Sequence, residues 1–227
     1  MADLAERRNK VVIARDCILP DTPPGELDNA VLERIAAAAD RIRLARNAGK
    51  PVVLAFGAHT IKNGLAPVLI KLIEDGWLTH LATNGAGVIH DWEFSFLGES
   101  SEDVRANVAA GRFGNWQETG FNINLAINLG AYEGKGYGEA VGAFIDNDGV
   151  KIPSPDRLLN GIADAADAPL HAALSAYVLE LVQRFDLKFG KYQVDHAHKQ
   201  YSVQAAACRA GIPFTSHPMF GHDIIYN

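Results

Sequence analysis

Two rhythms of apolar residues alternate along the first half of the chain. Leu27, Val31, Leu32, Ile35, Ala39 and Ile42 recur at three- and four-residue intervals, which predicts a helix that ends near Gly49. Residues 51–56, PVVLAF, form a short continuous apolar run bounded by Pro and Gly, the pattern of a strand buried on both faces of a parallel sheet. Helical spacing returns at Leu65, Leu69, Leu72 and Ile73 and stops at Gly76, and residues 78–82 supply a second apolar run. Strand, helix and strand make a βαβ unit, whose right-handed crossover would set residues 57–59 beside residues 83–87 on one sheet edge. A short strand at 11–14 and a Pro-rich turn at 20–25 precede this unit.

The second half is less regular. Residues 99–148 read as helical with many glycine interruptions, among them Gly130, Gly134, Gly136, Gly138 and Gly142, each costing about 1 kcal/mol in a helix interior relative to Ala. Residues 152–168, rich in Pro, Asp and Asn, read as a surface connection, so a helical insertion around 99–168 is expected beside the sheet. Helices are predicted at 170–185 and 202–210, a short strand at 212–215 and a further turn at 216–221. The chain is expected to form a single α/β domain over 1–227, with the sheet continuing beyond Asn227 because three strands leave an exposed edge.

Composition narrows the function classes. With 48% apolar and 21% charged residues, the 227-residue chain fits a globular, enzyme-sized domain. A net charge of −6 argues against a nucleic-acid partner, and the cluster Arg41, Arg43 and Arg46 alternates with apolar residues as a solvated helix face does. Cys17 and Cys208 lack CxxC spacing and point to reduced thiols in a cytoplasmic protein, with no disulfide framework or zinc site. The N-terminus has no apolar signal core, and no run approaches the length of a membrane span, so no membrane partner is expected.

The chemistry concentrates in residues 83–93, TNGAGVIHDWE, directly after the second apolar run. A strand that enters a small-residue turn and then a helix start is how parallel α/β sheets hold a nucleotide. Gly85, Ala86 and Gly87 would let backbone amides approach a pyrophosphate, while Asn84, His90 and Asp91 offer polar groups at the strand's carboxyl end. The turn does not fit GxGxxG. His90, titrating near neutrality, is a candidate acid, base or hydrogen-bond partner; Asp91 suits a ribose hydroxyl or a helix N-cap, and Glu93 suits the dipole of a first helical turn. His59 after the first strand, and His217 and Asp223 in the later turn, could complete a site built from several strand ends. His196 and His198, with Asp195 beside them, have a His-x-His spacing that metals use, but solvated histidines are the commoner outcome and no metal is assigned. Trp92 and Trp116 are expected in the core.

The stretch KNGLAPVLIKLIEDGWLTHLATNGAGVIHD resembles the strand, helix, strand and glycine-turn core of deoxyhypusine synthases, and HPMFGHDII resembles that family's second cofactor turn. The order of His90, Asp91 and Glu93 is similar to the cofactor domain of archaeal-type ornithine cyclodeaminases. The resemblance implies a Rossmann-like, three-layer parallel sheet with helices on both faces, the deoxyhypusine synthase-like NAD-binding fold. It implies NAD as cofactor, approached by Ala58 and His59 and lined by Thr83, Asn84, Gly85 and Gly87, and a homodimer or homotetramer.

The chain departs from the synthases where their acidic pair follows the glycine turn: here stand Ile89 and His90. Their later Thr-Asp-Gly is here Ser216, His217 and Pro218, and their active-site lysine has no counterpart. These departures argue against polyamine transfer. The expected function is therefore an NAD-dependent enzyme that transiently oxidises another small metabolite, with His90, His217 and Asp223 as catalytic candidates. The alternative is a non-catalytic NAD or nucleotide sensor.

Overall fold

The computed structural model describes residues 1–219. Its centre is a parallel three-stranded sheet in the order β2 (Val53–Ala55), β3 (His80–Asn84), β7 (Phe214–His217), so the protein is α/β. The register pairs Leu54 with Leu81 and Leu81 with Phe214, which puts these three apolar side chains on one face. Two strands come from the predicted βαβ unit. Between them lie α3 (Ala58–Lys62) and α4 (Ala66–Glu74), the latter with Pro67 in its first turn. β3 runs straight into α5 (Gly85–Leu97), which ends in the left-handed Gly98.

Leu81 and Phe214 join α4, α5, α8 (Tyr137–Asp146) and α11 (Val203–Ala210) in the main core. This face of the sheet is dry. On the opposite face, Val53, Ala55, Asn84 and His217 are exposed, and Val53 retains 56% of its surface. The expected burial of β2 on both faces is not found: Leu54 is partly buried on the face that the described helices cover, and Val53 and Ala55 are exposed on the other. There His80, Thr215 and His217 form a hydrogen-bonded row, with Thr215 Oγ1 3.0 Å from each imidazole.

Helix α2 (Asn29–Asn47) starts where Asp28 caps it and fulfils the predicted helical rhythm, yet none of its residues is buried. Its apolar seam of Leu32, Ile35 and Ile42 is exposed, and its carboxyl end is held by Arg46, which stacks on Trp77.

The predicted strand at 11–14 splits into β1 (Asn9–Val12) and a single turn, α1 (Ile13–Asp16). β1 pairs antiparallel with β4 (Glu99–Glu102), inside the region read as helical. The rest of that region is helical as expected: α6 (Val104–Ala109), α7 (Gln117–Tyr132) and α8. The supposed surface connection carries α9 (Pro155–Ala163), capped by Ser154, after β5 (Gly149–Ile152). β5 pairs antiparallel with β6 (Gly190–Gln193). With α7, α9 and α10 (Pro169–Arg184) this ribbon surrounds a second, smaller apolar cluster that includes Leu129, Ile152, Leu158 and Val178. No described helix is long and apolar enough to cross a membrane.

Candidate functional site at the carboxyl edge of the sheet

The three parallel strands deliver Gly57, Asn84 and His217 to one edge, where Asn84 and His217 are register partners. The first three N–H groups of α5 have no carbonyl within the helix. Asn84 satisfies one of them, its carboxamide oxygen accepting from Gly87 N at 2.9 Å, and those of Gly85 and Ala86 remain available to an anion. Gly87 has a packing reason of its own: a Cβ there would overlap the Thr83 hydroxyl. That hydroxyl donates to the Phe56 carbonyl at 2.8 Å and ties β3 to β2. Thr83, Asn84 and Gly87 thus build the turn. Of the groups around it His59 is exposed, Ala58 and Ala86 are half-buried, and Gly85 at the start of α5 is buried.

His90 and Asp91 part company because successive helical residues point about 100° apart. The Asp91 carboxylate turns into the core and caps α11. It accepts from Ser202 Oγ at 2.6 Å, Val203 N at 2.8 Å, Gln204 N at 3.2 Å and Gln204 Nε2 at 2.9 Å. Burial pushes its pKa upward against those hydrogen bonds. The expectation that Asp91 meets a ribose is therefore corrected: its oxygens are consumed inside the fold.

His90 faces a cavity of about 220 Å³ lined by Arg7, Lys62, Ala86, Glu93, Ser101 and Glu102 among others. Its Nδ1 lies 2.7 Å from Ser100 Oγ, and Ser100 donates its one proton to Glu93 Oε2 at 2.6 Å. Glu93 is buried and held by both terminal nitrogens of Arg7 at 2.6 Å, with Thr119 Oγ1 at 3.0 Å. Burial works to raise the Glu93 pKa, but the Arg7 guanidinium outweighs it and the carboxyl is held below its ordinary value. Because the serine proton goes to a carboxylate, His90 Nδ1 must be the donor to Ser100, and neutral His90 carries its lone pair on Nε2. Burial is the main cause that lowers the His90 pKa, with Lys62, Arg7 and His59 acting in the same direction against Glu93. A neutral, oriented imidazole at pH 7 can accept a proton.

Ser101 on the cavity wall holds φ at 66°, a left-handed conformation that costs a non-glycine residue energy and that clusters at functional positions. Burial raises the pKa of Glu102, although Trp116 Nε1 donates to it at 3.0 Å. Arg7, Lys62, Ser100, Ser101 and Glu102 were not singled out from the sequence. The three-residue step from His90 to Glu93 was the one usable signal, since it puts both on one helix face.

His217 sits at the sheet edge, but its described hydrogen bond is to Thr215 and none joins it to His90. Asp223 lies outside the described residues. His196 is buried against Trp92, Phe96 and Phe144, whereas His198 is half-buried with its ring against Gly98, and no group of metal-binding side chains occurs among the described residues. Trp92 and Trp116 are core residues, as expected.

No protein-family model matches the chain, and no curated protein matches it. Among solved structures it is similar to the apo form of ArgZ, an arginine dihydrolase from the ornithine-ammonia cycle in cyanobacteria. The likeness has 16% identity and a TM-score of 0.42 over 88% of this chain. The chain spans 20% of that protein's length.

Proposed function

We propose that the protein is a deoxyhypusine synthase-like, Rossmann-like NAD-binding enzyme that transiently oxidises a small neutral or anionic metabolite. The observation that carries this reading is the meeting of three parallel strand ends beside the glycine-started helix α5, with a neutral, oriented His90 one turn along it. The residues fit the cofactor. Gly85 and Ala86 offer two amides to a diphosphate, and Gly57 and His59 are exposed at the neighbouring strand end. NAD, when bound, supplies a hydride acceptor. His90 Nε2 takes the proton lost from the substrate's hydroxyl or amine, and Ser100, Glu93 and Arg7 hold the imidazole in the tautomer that can do so.

The charges favour a substrate other than a polyamine. Asp91 and Glu93 are consumed by α11 and Arg7, and Glu102 on the cavity wall accepts from Trp116 and Gly114, whereas Lys62, which also lines the cavity, has no carboxylate partner among the described residues. A non-catalytic nucleotide sensor is the second reading, favoured by the same commitment of Asp91 and Glu93 to the fold.

Calorimetric titration with NAD tests the first step. Saturable binding that is lost in Ala86→Glu and kept in His90→Ala is expected; a folded wild-type chain that binds no NAD refutes the enzyme reading, and one that binds no other nucleotide either refutes the sensor. Reduction of bound NAD by neutral or anionic alcohols and amines, abolished in His90→Ala, separates enzyme from sensor. Turnover of spermidine that is lost in His90→Ala would overturn the substrate assignment.

A further inference from the structure

We propose that a second cleft, between α7 and α10 and remote in composition from the sheet edge, binds a planar aromatic carboxylate. Its volume is about 410 Å³, within the range that encloses a small ligand. Phe121, Tyr177 and Phe185 wall it, with Phe121 and Phe185 edge-to-face at 5.9 Å between centroids. Tyr177 and Phe185 leave 48% and 51% of their surface exposed. Among the lining side chains Arg184 alone carries a charge. Its guanidinium lies 5.9 Å from the Phe185 ring and has no carboxylate partner among the described residues. An aromatic slot beside one uncommitted guanidinium matches a flat ring that carries a carboxylate.

An independent observation comes from the cleft floor. Gly120, Asn124 and Asn128 form one stripe of α7 at four-residue spacing, and all three line the cleft. Other helix glycines have evident packing reasons: a Cβ at Gly130 would overlap Ala140, and one at Gly142 would press on the Gln204 backbone. Gly120 differs. A Cβ there would meet nothing within 4 Å, and its φ is not in the left-handed region. It costs α7 about 1 kcal/mol relative to Ala and gains the fold no contact. Asn124 and Asn128, of a residue type with low helix propensity, each donate a side-chain N–H to the carbonyl one turn back, at 2.9 and 2.8 Å. A stripe that disfavours its own helix while opening a cleft is what a binding site requires and a packed surface does not.

The test uses 2-naphthoate, titrated calorimetrically into the folded protein. Saturable binding is expected, weakened about tenfold or more in Arg184→Gln, which removes a charge-assisted contact. Gly120→Leu is expected to abolish binding while the melting temperature holds or rises, so loss of binding cannot be ascribed to unfolding. Leu32→Ser/Ile35→Ser on the exposed seam of α2 is expected to leave binding unchanged. The proposal is overturned if wild type binds no 2-naphthoate, if binding survives both Gly120→Leu and Arg184→Gln, or if it falls with the α2 variant instead.

Discussion

His196 gives the protein a defined acid limit. Its imidazole is 2% exposed and packed against the edges or faces of Trp92, Phe96 and Phe144, with centroids 6.1, 6.3 and 5.3 Å away, and neither ring nitrogen has a hydrogen-bond partner. Burial lowers its pKa from 6.5 to about 4, against the pull of Asp148, whose Oδ1 lies 3.7 Å from Nδ1 and whose Oδ2 is held by Lys199. The unfolded chain therefore binds the extra proton first. Stability is intact above pH 6.5 and falls as the pH drops from 6.5 towards about 4. With those two values, the loss between about pH 7.5 and about pH 4.5 is about 2.5 kcal/mol, a large share of a domain's stability. Urea unfolding of wild type and His196→Leu at both pH values reads this term together with the titration of Asp148, the carboxylate coupled to it. The wild type is expected to lose about 2.5 kcal/mol more than the variant on acidification. A wild-type-minus-variant difference that stays flat over this range would refute the reasoning, whatever its size at neutral pH.

Three further outcomes follow from buried contacts. Glu93→Gln strands the buried Arg7 guanidinium and is expected to cost about 3–5 kcal/mol in urea unfolding, most of it recovered in Arg7→Met/Glu93→Leu. Gly87→Ala forces a methyl onto the Thr83 hydroxyl and is expected to cost about 1–3 kcal/mol, with Thr83→Ala restoring part of it. Asn84→Ala removes the α5 cap and is expected to cost about 1 kcal/mol in thermal unfolding, so any effect on NAD affinity must be measured well below the melting temperature.

The parallel pair β2 and β3 was legible because both strands are apolar runs stopped by Gly, Pro or Asn, and α2, α4, α10 and α11 because their apolar spacing is helical. β4, β5 and β6 were not. ESSE and GKYQ have no hydrophobic alternation to read and that of GVKI spans only three residues, so pairing with a distant partner is what makes them strands. The glycine turn was found in the right place, but sequence could not say which of its polar residues turn inward. Asp91 has the same composition as a ribose ligand; only the approach of Ser202, Val203 and Gln204 from α11 decides its role. Ser100 and Arg7 escaped notice for the converse reason, since each gains its meaning from Glu93, which lies seven residues from one and eighty-six from the other.

The capping of α11 by Asp91 also fixes the behaviour of the sheet edge. α5 begins at the end of β3, and α11 leads through a short turn into β7, so the carboxylate clamps together the two helices attached to neighbouring strands. Sliding one helix past the other by an ångström would break four hydrogen bonds around a buried charge. The spacing of Asn84 and His217, partners at the ends of those strands, is therefore set from behind by a contact in the core rather than by the edge itself.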